Sequence, residues 1–414
     1  MTTGCPVHFD PLDPTYLADP TPVWEQLRRD APVHYNDELD MWVVSRHADV
    51  ESVFRDPVTF SAANAQDPMY PLHPEAQAVL AEGWVPLKTM SNADGEYHAR
   101  NRRFSLVGFT PRRLRALEPI VRQTTRALID KLAAAGPGVD FVSALAFPLP
   151  ATIIFTLLGF PPEDTDRLKE WASDRLSFSW GRPSAVEQAR VASDMVAYRG
   201  YCDAHVARRL VEPADDFTSD LLQFHRESPE SFTLAEAAHI IFGFSFAGHE
   251  TTTNLLANAL HRCLTVPRVW AMLVADPTAI AGAVEETLRF DSSVVAWRRV
   301  TTTKTVIGES EVPAGARVLV LLGSANHDPE VFEQPGRFDV SRTDSRYLSF
   351  GWGKHYCIGA SLAKLELQVV LEELTARFPQ LGRADDEPLR YHPNVSFRGP
   401  QRLSLTWPDH TGTD

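Results

Sequence analysis

The stretch Phe350-Gly-Trp-Gly-Lys-His-Tyr-Cys-Ile-Gly359 sets three glycines around a single cysteine. Ile358, Leu362, Leu365 and Val369 follow at helical spacing, so Cys357 sits at a loop-to-helix junction. Free amides and the positive end of the helix dipole favour a thiolate there. Gly351, Gly353 and Gly359 let the backbone wrap closely around the sulfur and aim amides at it. These residues alone leave three roles open for Cys357: a buried structural cysteine, a nucleophile or a metal ligand. A second chemical motif is Ala247-Gly-His-Glu-Thr-Thr252. An acid followed by an alcohol is what a proton relay needs, with Thr251 holding water by hydrogen bonds and Glu250 exchanging protons with solvent. Glycine and a run of β-branched threonines weaken a helix, and the Thr251 hydroxyl can reach back to the Ala247 carbonyl, opening a local groove. The competing reading of Glu250 is a charge satisfied by a neighbouring helix.

The pattern Phe350-x-x-Gly353-x-His355-x-Cys357-x-Gly359 resembles the cysteine-ligand loop of the cytochrome P450 haem-thiolate monooxygenases. The resemblance extends from the strands near Trp42 to Ser396-Phe-Arg-Gly-Pro400. It implies a mainly α fold with small β-sheets, a single domain over residues 1–414 shaped as a triangular helical prism around a buried haem b. Cys357 is then the axial thiolate and metal ligand, Phe350, His355, Gly359 and Ala247 border the cofactor, Glu250 and Thr251 are catalytic, and dioxygen is a co-substrate. Glu286-Thr-Leu-Arg289 on its own is an ordinary surface pair at i and i+3, worth a few tenths of a kcal/mol. It resembles the family's Glu-x-x-Arg, and Arg337 in Pro335-Gly-Arg-Phe-Asp339 matches the third member of the buried charge cluster that braces the ligand loop. His98 and Arg102, at i and i+4, together with Arg299 and His355, resemble the partners of the haem propionates.

The same resemblance places Thr89, Met90, Asn92, Phe242, Phe246, Val294, Val295 and Phe397 around the substrate. Most are apolar, which suits a hydrophobic or aromatic small molecule. The implied activity is hydroxylation or O- or N-dealkylation. The alternatives are oxidative ring formation (C–N or C–C) in bacterial secondary metabolism, and a haem-thiolate sensor or binding protein. A cysteine-nucleophile enzyme would need no haem. Val294-Val-Ala-Trp-Arg-Arg299 and Asn394-Val-Ser-Phe-Arg-Gly-Pro400 look like haem domains of reductase-fused bacterial members. No flavin or iron–sulfur domain follows Asp414, so electrons are expected from a separate ferredoxin with its NAD(P)H-dependent reductase. Arg100, Arg102, Arg103, Arg112, Arg113 and Arg115, with Lys354 and Lys364 beside the ligand loop, form a local positive face for such an acidic donor.

The elements that must position these groups are legible more coarsely. The chain has 414 residues, 44% of them hydrophobic and 23% charged, enough to bury a large core. A net charge of −14 argues against a nucleic-acid binder. Cys5, Cys202, Cys263 and Cys357 are scattered without a CxxC pair, which excludes a zinc knuckle or a disulfide framework. The N-terminus carries no export signal, and apolar segments such as Ala151 to Phe160 are too short to span a bilayer. A soluble cytoplasmic monomer is expected, with a flexible segment over 1–18. Strands are expected at Val33–Tyr35, Met41–Val44, Thr305–Ile307, Val312 and Val318–Leu322. Helices are expected at Ile120–Ala135, Asp164–Arg175 and Ala185–Leu210. The capping-box pattern Thr233-Leu-Ala-Glu236 starts a further helix that, running unbroken to Cys263, would have about 30 residues and span about 45 Å.

Overall fold

Short β-branched and aromatic runs make the strands. The structure, a computed structural model, describes residues 7–84, 86–172 and 174–408. Its main sheet contains β1 (Val33–Asn36), β2 (Met41–Val44), β3 (Phe60–Ser61), β4 (Trp297–Thr301) and β7 (Arg317–Val320), in the order β1-β2-β7-β4-β3. β1 and β2 pair antiparallel, β2 runs parallel to β7 with Trp42 opposite Val318, and β4 returns antiparallel with Arg299 opposite Val318. Two small pairs complete the β structure: β5 (Thr305–Ile307) with β6 (Ser310–Val312), and β8 (Gly382–Arg383) with β9 (Leu405–Thr406).

Helices make up most of the rest. Those that bear on the site are α1 (Pro14–Ala18), α2 (Pro74–Gly83), α3 (Gly95–Ser105), α4 (Pro111–Ala135), α5 (Arg175–Trp180) and α6 (Ala185–Val211), followed by α7 (Leu234–Ala247), α8 (Glu250–Thr265), α9 (Ile280–Phe290) and α10 (Ala360–Arg377). Full capping boxes start α6, from Ser184 and Glu187, and α7, from Thr233 and Glu236. α10 packs on α4, and α6 packs on α2 and α7. One large apolar cluster runs from Ala76 to Leu405 through the helical part of the chain, while two smaller clusters cover the main sheet. Among the described residues, no helix is long and apolar enough to cross a membrane.

Three expectations change. The segment over 7–18 is packed: Val7, Phe9 and Tyr16 are buried, and Trp24 Nε1 donates to the Tyr16 hydroxyl at 2.9 Å. The rest of the expected flexible segment, residues 1–6, lies outside the described residues. The helix expected over 164–175 ends at Ala172, and a new one starts at Arg175 after Asp174 at φ 65°. The long helix from Thr233 to Cys263 is two helices, broken at Gly248 and His249.

Candidate active site

The ligand loop is closed by its own backbone. Gly351 N donates to Leu348 O at 2.8 Å, Cys357 N to Phe350 O at 2.8 Å, and Tyr356 N to Gly353 O at 3.1 Å. Gly351 and Gly353 stand at φ 71° and 67°, left-handed conformations that strain any other residue. A Cβ on Gly353 would also come within 3.2 Å of Phe54 O. α10 then begins at Ala360, so Cys357 lies just before a helix start, where the sequence puts it. Burial pushes the Cys357 thiol up, while the amides of Gly359 and Ala360 and the Arg102 guanidinium favour the anionic sulfur. Protein surrounds the sulfur, yet Cys357 keeps accessible area. A cavity of about 250 Å³ reaches it between Arg102, Phe109 and Ile358.

Behind this loop lies a buried ion pair. Arg289 grips Glu286 with two hydrogen bonds, NH2 to Oε1 at 2.6 Å and Nε to Oε2 at 2.9 Å, and both side chains are 1% exposed. The remaining Arg289 donors reach the carbonyls of Asn326, Pro335 and Arg337. The third charged side chain on Glu286 belongs to Arg342, whose Nε lies 3.1 Å from Oε2. The Arg337 side chain is 66% exposed and meets only Asp339, at 3.6 Å. Arg337 therefore joins the cluster through its carbonyl alone, because the turn after Pro335 directs its side chain outward. Asn326 links pair and loop: its Oδ1 accepts from Leu348 N at 2.7 Å and its Nδ2 donates to Ser349 Oγ at 2.8 Å. Ser349 Oγ in turn bonds Leu288 O on α9.

The break between α7 and α8 has a local cause. Thr251 Oγ1 donates to Ala247 O at 2.7 Å and Thr253 Oγ1 to His249 O at 3.1 Å, the back-bonds the β-branched run invites. Gly248 allows close approach of Ile154, whose Cγ1 would lie 2.8 Å from an added Cβ. In the apolar run before the break, Ile240, Ile241, Phe242, Phe244 and Phe246 are buried. Ala247 is exposed and Gly243 and Thr251 are half-exposed, three positions four residues apart on one helix face. Glu250 turns toward the start of α5, where Leu176 N bonds it. Burial, with Asp174 nearby, pushes its carboxyl up to about 8 despite Arg175.

The predicted propionate partners come together. The rings of His98 and His355 stand 4.2 Å apart, and His355 Nε2 lies 3.8 Å from Asp94 Oδ1. Burial, with Arg299 and His98 beside it, takes His355 down to about 3. Burial lowers His98 as well, aided by Arg102. Arg299 is fully buried over the Phe54 ring, and of the two adjacent arginines on β4 it is the one facing this group. Arg298 points to the other side of the strand, onto the Trp180 ring.

A family model described as Cytochrome P450 matches residues 202–407. Over 388 residues, 92% of each chain, the protein is 36% identical to the erythromycin C-12 hydroxylase of Saccharopolyspora erythraea. It belongs to the cytochrome P450 family. Among solved structures, cytochrome P450 CREJ in complex with (4-ethylphenyl) dihydrogen phosphate is similar at TM-score 0.91 and 36% identity, over 95% of this chain and 98% of that one. An intact type IV self-sufficient cytochrome P450 monooxygenase is similar at TM-score 0.94 and 37% identity, covering 98% of this chain and 54% of that one. The P450 is thus a monooxygenase that carries haem on a cysteine thiolate and uses dioxygen.

The residues fit that cofactor. An accessible but enclosed sulfur and an accessible small-residue face on α7 and α8 suit the porphyrin, and the cations Arg102 and Arg299 suit its two propionates. Among the described residues, His98 Nε2 is buried without a hydrogen-bond partner, which leaves it for a propionate. In this P450 Phe242 and Phe246 do not face the open side: they pack with Trp84 and Tyr198. Val295 and Phe397 are buried beside Trp24 and Trp180 in the second apolar cluster, leaving Val294 half-buried. Thr89 lies over Gly243, Asn92 Oδ1 holds Thr89 N at 2.7 Å, and the Met90 backbone bonds His355. Sequence reasoning missed Arg342, Asn326 and Arg175, each of which looks like an ordinary surface residue until its distant partners are known.

Proposed function

We propose that this P450 oxidises a hydrophobic or aromatic small molecule by hydroxylation or dealkylation, taking electrons from a separate ferredoxin. The observation that carries the reading is the α7–α8 break, which exposes Ala247 and Thr251 on the same face as Gly243 and leaves Glu250 beside the protein surface at Asp174. When bound, haem on a cysteine thiolate would supply oxygen activation, in which two electrons and two protons reduce dioxygen, one oxygen atom entering the substrate and the other leaving as water. Cys357 would hold the iron, with the amides of Gly359 and Ala360 moderating the charge on its sulfur. His98, Arg102, Arg299 and His355 would seat the propionates. Glu250, near neutral and hydrogen-bonded to Leu176, takes protons from the Asp174 side, and Thr251 positions water for their transfer. A sensor would have no use for this acid–alcohol arrangement.

The docking face supports the ferredoxin reading in reduced form. Arg103, Arg112, Arg115 and Lys354 are exposed, with Trp352 and Tyr356 also exposed beside the ligand loop. Arg100 is engaged by Glu236, Arg113 by Asp215 and Asp220, and Lys364 by Glu285. Small aromatic substrates agree with the CREJ complex, and the erythromycin hydroxylase relative supports a place in secondary metabolism. The test is to screen small aromatic and natural-product compounds for a low- to high-spin shift of the ferric holoprotein, then to identify products with ferredoxin and reductase supplied. Turnover supported by no ferredoxin, or products lacking an inserted or dealkylating oxygen, would overturn the reading.

A further inference from the structure

Among the described residues, Arg175 makes no ion pair. It opens α5, its NH1 donates to Ser179 Oγ at 2.5 Å, and its guanidinium lies 5.7 Å from the centroid of the Phe178 ring. Among the described residues, the charge that acts on it is Glu250, and the two make no ion pair. Its own charge reaches both His239 and Glu250, the residues that bracket Gly243 and Ala247 on the open helix face. Arg175 is half-accessible, so its guanidinium is not sealed off by the hydrogen bond to Ser179.

A polar belt continues from it to Thr89, which stands over Gly243 on α7. Ser179 Oγ donates to Gln66 O at 3.2 Å, and Gln66 Nε2 to Ser91 Oγ at 3.1 Å. Ser91 Oγ meets Thr89 Oγ1 at 2.7 Å, and Thr89 Oγ1 donates to Asn92 Oδ1 at 3.0 Å. Gln66, Thr89, Ser91 and Asn92 are all half-exposed, and Thr89 stands over Gly243. A purely apolar substrate would leave this belt unfilled and the guanidinium desolvated without a partner, which is costly.

We propose that Arg175 binds an anionic oxygen group, a phosphate monoester or a carboxylate, carried by the substrate, and that the Thr89–Ser91 hydroxyls orient it. This rests on the monooxygenase reading and adds the substrate class to it. Burial takes the Arg175 guanidinium down to about 10, so it is still charged at neutral pH, whereas Glu250, up at about 8, is largely protonated and does not neutralise it. An anion at one end of an apolar body fixes which carbon the body presents to the oxidant, through charge-assisted hydrogen bonds stronger than neutral ones.

The experiment uses the ferric holoprotein. The reduced carbonyl spectrum comes first: a Soret band without the red shift of thiolate ligation overturns the haem-thiolate reading itself, independently of Arg175. With that band present, 4-ethylphenyl phosphate and 4-ethylbenzoate are titrated against the neutral 4-ethylphenol and 4-ethylanisole, following spin shift and binding heat. The anions are expected to bind about ten- to a hundredfold more tightly. Arg175→Gln should erase that preference at unchanged haem content and unchanged binding of the neutral compounds, and Arg175→Lys should keep part of it. Preference for only one of the two anions supports the proposal and names the head group. Equal binding of neutral compounds, no binding of either anion, or an undiminished preference in Arg175→Gln overturns it. Should Arg175→Gln lose haem, the wild-type ratio and Arg175→Lys still decide.

Discussion

Arg342 Nε donates to Glu286 Oε2 at 3.1 Å, the same oxygen that Arg289 Nε holds at 2.9 Å. Glu286 thereby carries two guanidinium groups and accepts Asp339 N at 2.9 Å on its other oxygen. Breaking a buried pair strands the surviving charge, at about 3–5 kcal/mol. Glu286→Ala is expected to yield protein without haem, and Arg342→Ala to be destabilised and to retain less haem. Arg337→Ala should stay within about 0.5 kcal/mol of the parent, as a surface change does. Denaturant midpoints together with the Soret-to-protein absorbance ratio separate the three, and a haem-free Arg337→Ala would contradict this assignment.

Thr251 makes its bond to Ala247 O with the hydroxyl that the proposed proton relay would use. Thr251→Ala removes both the groove and the alcohol, so electrons should be consumed without matching product. Product formed per NAD(P)H oxidised is the readout. Coupling equal to the parent's would dismiss Thr251 from the relay.

Glu250 gives a stability signature that needs no substrate. Its folded pKa, up at about 8, exceeds the ordinary 4.5, so the folded state binds the extra proton. Stability from this group is fully present below about 4.5 and is lost as pH rises toward 8. Glu250→Gln mimics the protonated form. It should match the parent near pH 5, exceed it near pH 8, and slow product formation because no proton can be exchanged. Parallel stability–pH curves for the two proteins would contradict the raised pKa.

His98 and Arg299 test the propionate seat. Among the described residues, Arg299 is buried with one hydrogen bond to its neighbour's carbonyl, Arg298 O at 2.7 Å, and His98 Nε2 has no partner. Arg299→Leu and His98→Leu should each transfer haem to apomyoglobin faster than the parent does. Unchanged transfer rates would mean that these residues only fill space.

The exposed arginines predict salt-dependent reduction. Arg112→Glu and Arg115→Glu should slow electron delivery from an acidic ferredoxin several-fold at low ionic strength, with the difference closing as salt screens it. Arg113→Glu is a different change, since it also breaks contacts to Asp215 and Asp220, and it should lower stability as well. Stopped-flow reduction across a salt series is the measurement. Rates independent of both charge and salt would place the docking surface elsewhere.

The sequence by itself determined the features whose cause is local. Left-handed Gly351 and Gly353, the helix start after Cys357, the Thr233–Glu236 capping box, the Thr251 back-bond and the predicted strands all depend on residues within a few positions of one another, and a short-range pattern suffices to write them. Glu286 and Arg289 were legible as a pair for the same reason, being one helical turn apart. Tertiary structure decided what depends on distant partners. Arg342 replaces Arg337 because the chain after Pro335 turns one side chain toward Glu286 and the other to solvent. Arg299 was legible only by resemblance, and strand alternation buries it and Arg298 on opposite faces of β4, against Phe54 and Trp180. Phe242 and Phe246 face Tyr198 while Gly243 and Ala247 face open space, a rotation set by how α6 packs on α7 and invisible in a run that is apolar on every side. Local sequence specifies backbone conformation, whereas the direction in which a side chain meets its partner is fixed only when remote segments compete for the same volume.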